Sequence, residues 1–483
     1  MSTYKIIAPG RVNLIGEHVD HQNYPVFPCA IEQSIEVDVV KHPYVEGKEP
    51  ALAIFHSNPD FDNITFQKRE DIKMVEGKHQ WYNYIIASYF GICEYLYNGH
   101  SIEKGQTIKR FEGLPKEYYE KIDPISPLNF AYKVTVGGQG VPVAAGLSSS
   151  SALTCAVSLA WDTGLSPAIL ATVSAHGEGY SGTAGGGMDQ AAILLSESGK
   201  ALKIDFHPLE VESVNLPKEI SIVVANTGRV ASKAVGYAKM YNKRVFELKC
   251  ACYLILKKHG IELTHVQLIQ NGLRDVLRMI KISEQDFLNK EMKECLKADF
   301  YTRADLEKLV PADVREFLLE KRVGQKVWEV NDDFHLLERV RHVLTENERV
   351  LEFVKICKEL NHDQDTPPAV LKRLGQLLDG SFASLDGDFD CGCTELTQLV
   401  NICRNAGALG SRLTGAGWGG CTVSIVETPK LQDFLKKVEQ DYYKPMISGE
   451  KKYDVPEQFI EMAKKDIKSV LFATKPSMSA RKV

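Results

Sequence analysis

The chain has 483 residues, 44% hydrophobic and 25% charged, which is the composition of a globular protein long enough for more than one domain. Its net charge is −5, from 58 basic and 63 acidic residues, so no electrostatic support exists for a nucleic-acid partner. No apolar run reaches the length of a membrane span, and the amino terminus lacks a signal-peptide pattern, so we expect no membrane partner and a cytoplasmic location.

Two predicted strands flank a charged motif near the amino terminus. Residues 4–7 are predicted to form a strand, and further strands are predicted at residues 26–31 and 34–40. The motif between them, residues 8–20, contains one arginine, two carboxylates and one histidine. Because charges held between buried strands need a partner or a ligand, this segment is a candidate binding site.

A serine-rich loop follows the next predicted strand. The pattern predicts a helix over residues 81–97, a polar surface insertion over 101–130 and a strand over 131–136. Gly146 and four consecutive serines, residues 148–151, then lead into helical composition at residues 152–160. A helix amino terminus presents unpaired N–H groups and binds anions, which favours a phosphate site. The alternative is a serine cap on the helix, and one serine can cap while its neighbours face phosphates.

The second half mixes helices and strands without regular alternation, which indicates an α+β fold. Charges between residues 276 and 350 are interpreted as a solvated face. Residues 182–190 form a glycine-rich loop that ends near Asp189. The remaining predicted elements are helices at 172–178, 369–406 (in two pieces) and 430–443, strands at 201–206, 220–225, 421–426 and 470–474, and a mostly helical region at 231–357.

A second glycine loop, residues 415–420, matches the dinucleotide pattern G-x-G-x-x-G. That pattern binds a dinucleotide when a helix follows it, whereas a strand-like run follows here. A dinucleotide-binding reductase is therefore disfavoured. The G-x-x-x-x-G-K-[ST] phosphate loop is absent from the sequence, so a phosphate-binding enzyme of this length would belong to another lineage.

Four motifs in a fixed order resemble the galactokinase branch of the GHMP small-molecule kinases, which includes eukaryotic galactokinases and N-acetylgalactosamine kinases. They are Pro-Gly-Arg-Val-Asn-Leu-Ile-Gly-Glu-His at 9–18, Gly-Leu-Ser-Ser-Ser-Ser-Ala at 146–152, Gly-Gly-Gly-Met-Asp-Gln at 185–190 and Leu-Thr-Gly-Ala-Gly-Trp-Gly-Gly at 413–420. The resemblance, over residues 4–476, implies a two-domain GHMP kinase fold with mixed and antiparallel sheets and an active site between the domains. We place the domains at residues 1–210 and 211–483.

The resemblance also implies roles for individual residues. Asp189 would accept the proton of the sugar's anomeric hydroxyl, and Arg11 would keep that carboxylate ionised and stabilise the transferred phosphoryl group. Mg²⁺ would bind Ser150 and Glu178. The sugar would contact Glu17, His18, Asp20, Asp189 and Tyr241. ATP would contact Gly146, Leu147, Ser148, Ser149, Ser150 and Ser151, with Trp81 at the adenine pocket or, alternatively, a plain core aromatic.

The expected activity is therefore an ATP- and Mg²⁺-dependent sugar 1-kinase that converts galactose to galactose 1-phosphate, and the expected oligomeric state is a monomer. N-acetylgalactosamine is the alternative acceptor, and a non-catalytic sensor that binds sugar and ATP is the alternative of another class. His21 stands where the sugar signature commonly has tyrosine, and Gly179 where relatives have a basic or polar residue. These two departures concern sugar specificity rather than catalysis.

Overall fold

A computed structural model describes residues 1–75, 80–98, 114–138, 140–142, 145–181, 185–230, 240–296, 299–319 and 324–483. Parts of three predicted segments fall outside this description. They are residues 101–113 of the polar insertion, residues 182–184 of the first glycine loop, and residues 231–239, 297–298 and 320–323 of the mostly helical region. Within the described ranges, no helix combines the length and the apolar character that crossing a membrane requires.

A six-stranded mixed sheet, here called the large sheet, carries the charged amino-terminal motif. In strand Phe27–Pro43, the second along the chain, Val37 and Val39 are buried and Asp38 between them is exposed. One face of the strand therefore packs against the protein and the other contacts water. Neighbouring strands are antiparallel except for one parallel pair, Leu52–His56 with Phe130–Gly137. In spatial order the strands are Arg481–Lys482, Ser2–Ile15, Phe27–Pro43, Phe130–Gly137, Leu52–His56 and Ile64–Phe66.

Four helices cover the buried face of the large sheet and one another. The serine helix, Ser149–Ala160, packs on the first two strands of the chain. Helices Asn83–Tyr97 and Pro167–Glu178 cross closely, because Gly91 and Gly177 leave no side chain between them. The fourth helix is Met188–Leu195. This packing brings the serine helix, Asp189 and the charged motif to one end of the layer.

A four-stranded antiparallel sheet, the small sheet, carries the second glycine loop. Its strands lie in the order Gly410–Thr414, Cys421–Glu427, Ile220–Asn226 and Leu471–Thr474. The glycine loop is therefore the turn of an antiparallel hairpin. The prediction that a strand follows Gly420 is confirmed, and the dinucleotide-binding arrangement is not formed.

The remaining elements are short strand pairs and helices. Strand Lys200–Asp205 pairs with strand Glu210–Asn215. The sequence pattern predicted the first of these strands but not the second. Strand Tyr301–Thr302 pairs with Asp333–Phe334. The further helices are Glu117–Glu120, Tyr241–Lys258, His265–Gln270, Leu273–Ile280, Glu284–Asp286, Met292–Cys295, Arg303–Leu309, Ala312–Leu318, Lys326–Val330, Leu336–Glu359, Pro368–Asp386, Thr394–Asn405, Leu431–Val438, Lys444–Ile447 and Glu457–Lys465. Two segments, Phe287–Glu291 and Glu439–Tyr443, are π-helical.

Most predicted elements occur with shifted bounds. The strand predicted at 4–7 runs from Ser2 to Ile15 and so includes Arg11. The runs predicted at 26–31 and 34–40 are one strand, Phe27–Pro43. Polar residues interrupt the apolar pattern there, but Ser34 still pairs with Pro9, since the ladder depends on backbone groups rather than side chains.

The interpretation of residues 276–350 as a solvated face is wrong for helix Leu336–Glu359. Arg339, His342 and Glu346 are all at most 2% exposed. Their spacing of three and four residues places them on one stripe of the helix, and that stripe faces the protein. The division into two domains at residue 210 stays a prediction. The strand Arg481–Lys482, from the second predicted domain, pairs with the first strand of the chain.

Replacing Gly375 by alanine tests how the small sheet is packed. A Cβ atom at Gly375, on helix Pro368–Asp386, would overlap the carbonyl oxygen of Leu409. We expect Gly375→Ala to lower the free energy of unfolding by about 1–3 kcal/mol, because the backbone must move apart. Gly380 lies on the same helix, and a Cβ there would meet Arg349 Nε at an ordinary 3.4 Å.

Gly380→Ala is therefore the matched control, and it should leave stability unchanged or raise it by up to about 1 kcal/mol, since alanine favours helix. Denaturant unfolding measures both variants. Equal effects of the two substitutions would contradict the close helix–strand contact.

Candidate active site

A cavity of about 110 Å³ brings together residues from both halves of the sequence. It lies where the first strand, the serine helix, the Asp189 loop and the second glycine loop meet. Its lining includes Arg11, Glu17, His18, Asp20, Tyr84, Ser150, Ser151, Glu178, Gly185, Gly186, Gly187, Asp189, Tyr241, Gly415 and Ala416. Most of the predicted site residues thus line one cavity. Gly146, Leu147, Ser148, Ser149 and Trp81 are not among its lining residues.

The centre of the cavity is an ion pair between Arg11 and Asp189. Arg11 Nε donates to Asp189 Oδ1 at 2.6 Å, and Arg11 Nη1 donates to the Gly146 carbonyl at 2.7 Å. Ser151 Oγ donates to the other carboxylate oxygen at 3.4 Å. The side chain of Arg11 is 5% exposed and that of Asp189 is 27% exposed. Asp189 is thus oriented by two donors while it remains open to the cavity.

The serine loop leaves the helix amino terminus open towards the cavity. Ser148 occupies the N-cap position with a left-handed backbone, and its side chain makes no capping hydrogen bond. Its Oγ is buried and bonds to no described residue. The alternative that a serine caps this helix is therefore not what the structure shows at Ser148. The first N–H groups of helix Ser149–Ala160 stay available for an anion.

The two glycine-containing loops lie back to back. Gly146 and Gly415 both have positive φ angles, of 77° and 85°. A Cβ at Gly415 would lie 2.6 Å from the Gly146 carbonyl oxygen, and one at Gly146 would lie 2.7 Å from the Thr414 carbonyl oxygen. Glycine is therefore required on both sides of the contact. The contact couples the small-sheet hairpin to the serine loop.

Asp20 lies beside Asp189 at the sugar-signature side of the cavity. Its carboxylate accepts the backbone N–H of His21 at 2.9 Å and that of Met188 at 3.4 Å. A Cβ at Gly186 would lie 2.5 Å from Asp20 Oδ2, so the glycine admits this carboxylate. Burial, together with the nearby Asp189 carboxylate, raises the pKa of Asp20 to about 6.

Both carboxylate oxygens of Glu17 accept hydrogen bonds from the protein. Its carboxylate accepts hydrogen bonds from the Asn13 amide and the Gly415 N–H, and Arg412 Nη2 lies 3.4 Å from Oε1. Burial raises the pKa of Glu17 above its usual value despite these donors. Glu17 therefore lines the cavity and also fixes the second glycine loop, so its predicted contact with sugar remains a prediction.

Arg412 is fully buried between Glu17 and a second carboxylate on the long helix. Its Nη1 lies 3.9 Å from Glu346 Oε1 and donates to the Leu14 carbonyl at 3.1 Å. Burial would raise the pKa of Glu346, but Arg349, Arg412 and His342 together hold it below its usual value. Glu346 in turn accepts the Gly16 N–H at 2.9 Å.

His18 forms an aromatic wall with its neighbours. Its ring stacks on Phe389 at 4.2 Å and lies 5.6 Å from the ring of Tyr241. Its Nε2 donates to the Ala416 carbonyl at 3.0 Å. Burial lowers the pKa of His18 well below its usual value, so the ring is neutral. His21, where the signature commonly has tyrosine, lies with its ring 6.2 Å from that of Tyr241.

Ser150 and Glu178 reach the cavity from two helices. Ser150 lies in the first turn of the serine helix, and Glu178 is the last residue of helix Pro167–Glu178 and is 8% exposed. A hydroxyl and a carboxylate are oxygen donors of the kind that Mg²⁺ prefers. The donor set therefore fits the predicted ion.

Trp81 lies outside the cavity. Its indole N–H donates to the Asp62 carbonyl at 2.9 Å, and its ring meets those of His56 and Phe61 at 5.0 and 6.1 Å. Its role at an adenine pocket stays a prediction. Tyr84, three residues further on, does line the cavity.

Sequence reasoning did not find the residues that support the site. Arg412 offered little signal, because its strand Gly410–Thr414 contains one large apolar residue, although all five of its residues are buried. Phe389, which stacks on His18, and Glu346, on a helix with many charges, offered none.

The matches to known proteins agree with this geometry. Residues 114–197 match the GHMP kinases N terminal domain and residues 368–444 the GHMP kinases C terminal domain, which defines the class as GHMP kinases. Residues 4–39 match the galactokinase galactose-binding signature. The chain is 33% identical to a galactokinase of Dictyostelium discoideum over 465 residues, which cover 92% of this chain and 85% of that protein. The chain belongs to the galactokinase family.

Two further relatives extend the comparison. A galactokinase of Saccharomyces cerevisiae is 29% identical over 464 residues, which cover 87% of this chain and 81% of that protein. A crystal structure of Lactococcus lactis galactokinase complexed with galactose aligns with a TM-score of 0.65 at 22% identity, covering 100% of this chain and 95% of that chain. The predicted GHMP kinase fold, with mixed and antiparallel sheets, is confirmed.

Replacing Arg412 by methionine tests the buried charge cluster. The substitution would leave Glu17 and Glu346 buried without their shared cation, so we expect the free energy of unfolding to fall by about 3–5 kcal/mol. The matched control is Arg373→Met, because Arg373 pairs with Glu352 at 2.6 Å on the surface. That change should lower stability by about 1 kcal/mol or less. Denaturant unfolding that shows equal losses would contradict the cluster's role.

Proposed function

We propose that the protein is an ATP-dependent sugar kinase that converts D-galactose to galactose 1-phosphate. The observation that carries the proposal is the Asp189 carboxylate, which Arg11 holds beside the first turn of the serine helix within one cavity. Membership of the galactokinase family supports it.

Asp189 is proposed to act as the general base. Its Oδ1 is bound to Arg11, and its Oδ2 receives the weaker 3.4 Å bond from Ser151, so a sugar hydroxyl can approach this oxygen. The carboxylate would take the proton of the anomeric hydroxyl as that oxygen attacks the terminal phosphorus of ATP, while the bond from phosphorus to the ADP oxygen breaks. Arg11 would stabilise the negative charge of the transferred group.

The serine loop is proposed to hold the phosphates of ATP. The free N–H groups at the start of helix Ser149–Ala160 and the Ser148 hydroxyl point to an anion-binding role. The contact between Gly146 and Gly415 keeps the loop backbone close to the hairpin.

We further propose that Ser150 and Glu178 bind Mg²⁺, since both are oxygen donors on the same cavity. When bound, Mg²⁺ neutralises phosphate charge in phosphoryl transfer.

We also propose a cytoplasmic location and a monomeric state. The eleven cysteines are free thiols, as is usual in the reducing cytoplasm.

Sugar recognition is proposed to involve Asp20, His18, Glu17 and Tyr241. Buried sugar hydroxyls need hydrogen-bond partners, and the ionised Asp20 carboxylate is a strong acceptor. The neutral His18 ring and the Tyr241 ring would form the wall beside it. N-acetylgalactosamine is the competing acceptor, which requires room beside the C2 position of the sugar.

A coupled assay of ADP release tests the proposed function. Purified protein is given ATP and Mg²⁺ with either galactose or N-acetylgalactosamine. We expect turnover that is faster with galactose. Faster turnover of the acetylated sugar would move the assignment to that acceptor. No turnover with either sugar would contradict the kinase, and sugar binding without turnover would favour the sensor.

The pKa of Asp20 predicts a pH dependence for galactose binding. Because the pKa is raised to about 6, Asp20 is protonated below that pH and loses its capacity as an ionised acceptor. We expect the KM for galactose to fall as pH rises through about 6 and then to level off. Asp20→Asn, which cannot ionise, should raise the KM and flatten this profile. A KM in the unmodified protein that stays constant between about pH 5 and about pH 8 would contradict the role of Asp20.

A further inference from the structure

A histidine, a glutamate and a cysteine meet at the far end of helix Tyr241–Lys258 from the cavity. His259 follows the last residue of that helix, and Glu291 and Cys295 come from the segment that packs beside it. One nitrogen, one oxygen and one sulfur of these side chains lie within 4.8 Å of one another. They take no part in the proposed phosphoryl transfer.

The local backbone accounts for this meeting. Phe287–Glu291 is π-helical and continues into helix Met292–Cys295, so Glu291 and Cys295, four positions apart, face the same side. Phe287 and Met292 are buried and anchor the segment. π-helical turns occur frequently at functional sites, because the extra residue re-aims the side chains.

The imidazole of His259 points to a ligand. Its Nε2 is shielded from solvent and lies 3.3 Å from Glu291 Oε2, yet it has hydrogen-bond geometry to no described residue. A buried polar atom without a hydrogen bond is unfavourable, and coordination of a cation by the nitrogen would satisfy it. The side chains of His259 and Glu291 are 24% and 32% exposed, so an ion has access from solvent.

We propose that His259, Glu291 and Cys295 form a Zn²⁺ site. Imidazole nitrogen, carboxylate oxygen and thiolate sulfur are the usual zinc ligands, and three protein ligands leave a fourth position for water. Mg²⁺ prefers oxygen donors alone and does not fit a thiolate.

The position of the site predicts a structural role. The helix is 18 residues long, about 27 Å, and its first residue, Tyr241, lines the cavity. A metal at His259 is therefore remote from the reacting atoms. It would fix the carboxyl end of this helix to the segment 287–295, and it would stabilise the fold without entering the chemistry.

Cobalt titration of the full chain tests this proposal. Protein stripped by a chelator is titrated with Co²⁺, the spectroscopic substitute for Zn²⁺. We expect a thiolate-to-cobalt charge-transfer band that saturates at one equivalent, that Zn²⁺ removes and that excess Mg²⁺ does not. Cys295→Ser should abolish the band. Cys393→Ser, at another partly buried cysteine outside the cluster, is the matched control and should keep it.

Thermal unfolding supplies the second readout. Zn²⁺ should raise the Tm of the unmodified protein, and this shift should be lost in Glu291→Gln, a change at a partly exposed carboxylate that the metal-free fold should tolerate. Absence of the cobalt band in the unmodified protein would overturn the proposal. A band that survives Cys295→Ser, or a Tm shift unaltered in Glu291→Gln, would overturn it equally. None of these outcomes depends on the sugar kinase activity.

Discussion

The ion pair between Arg11 and Asp189 is the interaction on which the site depends. It joins residues 178 positions apart, one on the first strand and one in the first turn of a helix. A buried guanidinium must find acceptors, and Arg11 finds two, the Asp189 carboxylate and the Gly146 carbonyl. One side chain therefore fixes the carboxylate and the serine loop in relation to each other. Catalysis by positioning requires this kind of fixed geometry.

A second layer of buried charge supports the first. Glu17 bonds to the second glycine loop and to Arg412, and Arg412 reaches Glu346 on the long helix. His342, on the same helix, donates from Nε2 to the Glu17 carbonyl at 3.0 Å. Such clusters are weak evidence for stability, because desolvation opposes the attraction between charges. Here the buried charges fix the position of the second glycine loop, because Glu17, in the motif at residues 9–18, bonds to Gly415.

The parts of the fold that could be read from the sequence are those with local signals. The serine loop and the Asp189 glycine loop are rich in the residues that mark loops, and the strand after Gly420 is a short run of mostly apolar and β-branched residues. The residues that line the cavity were predicted through a family resemblance, which four short contiguous motifs carry. Strand Glu210–Asn215 was missed because its residues are mostly exposed and lack an apolar face. Glu346 and Arg339 were assigned to solvent because a charged residue in a helix carries no local mark of burial. Burial there depends on which elements the tertiary fold packs against the helix.

The Asp189→Asn variant offers the most direct measurement of the proposed chemistry. Asparagine keeps the size of aspartate and can still accept a hydrogen bond from Arg11, but it cannot accept the proton of a sugar hydroxyl. Galactose binding by calorimetry should survive while phosphoryl transfer falls by at least about 10²-fold. Asp205→Asn, at an aspartate paired with Arg274 outside the cavity, is the control and should retain turnover. Turnover of Asp189→Asn within tenfold of the unmodified protein would contradict the assignment of Asp189 as the base.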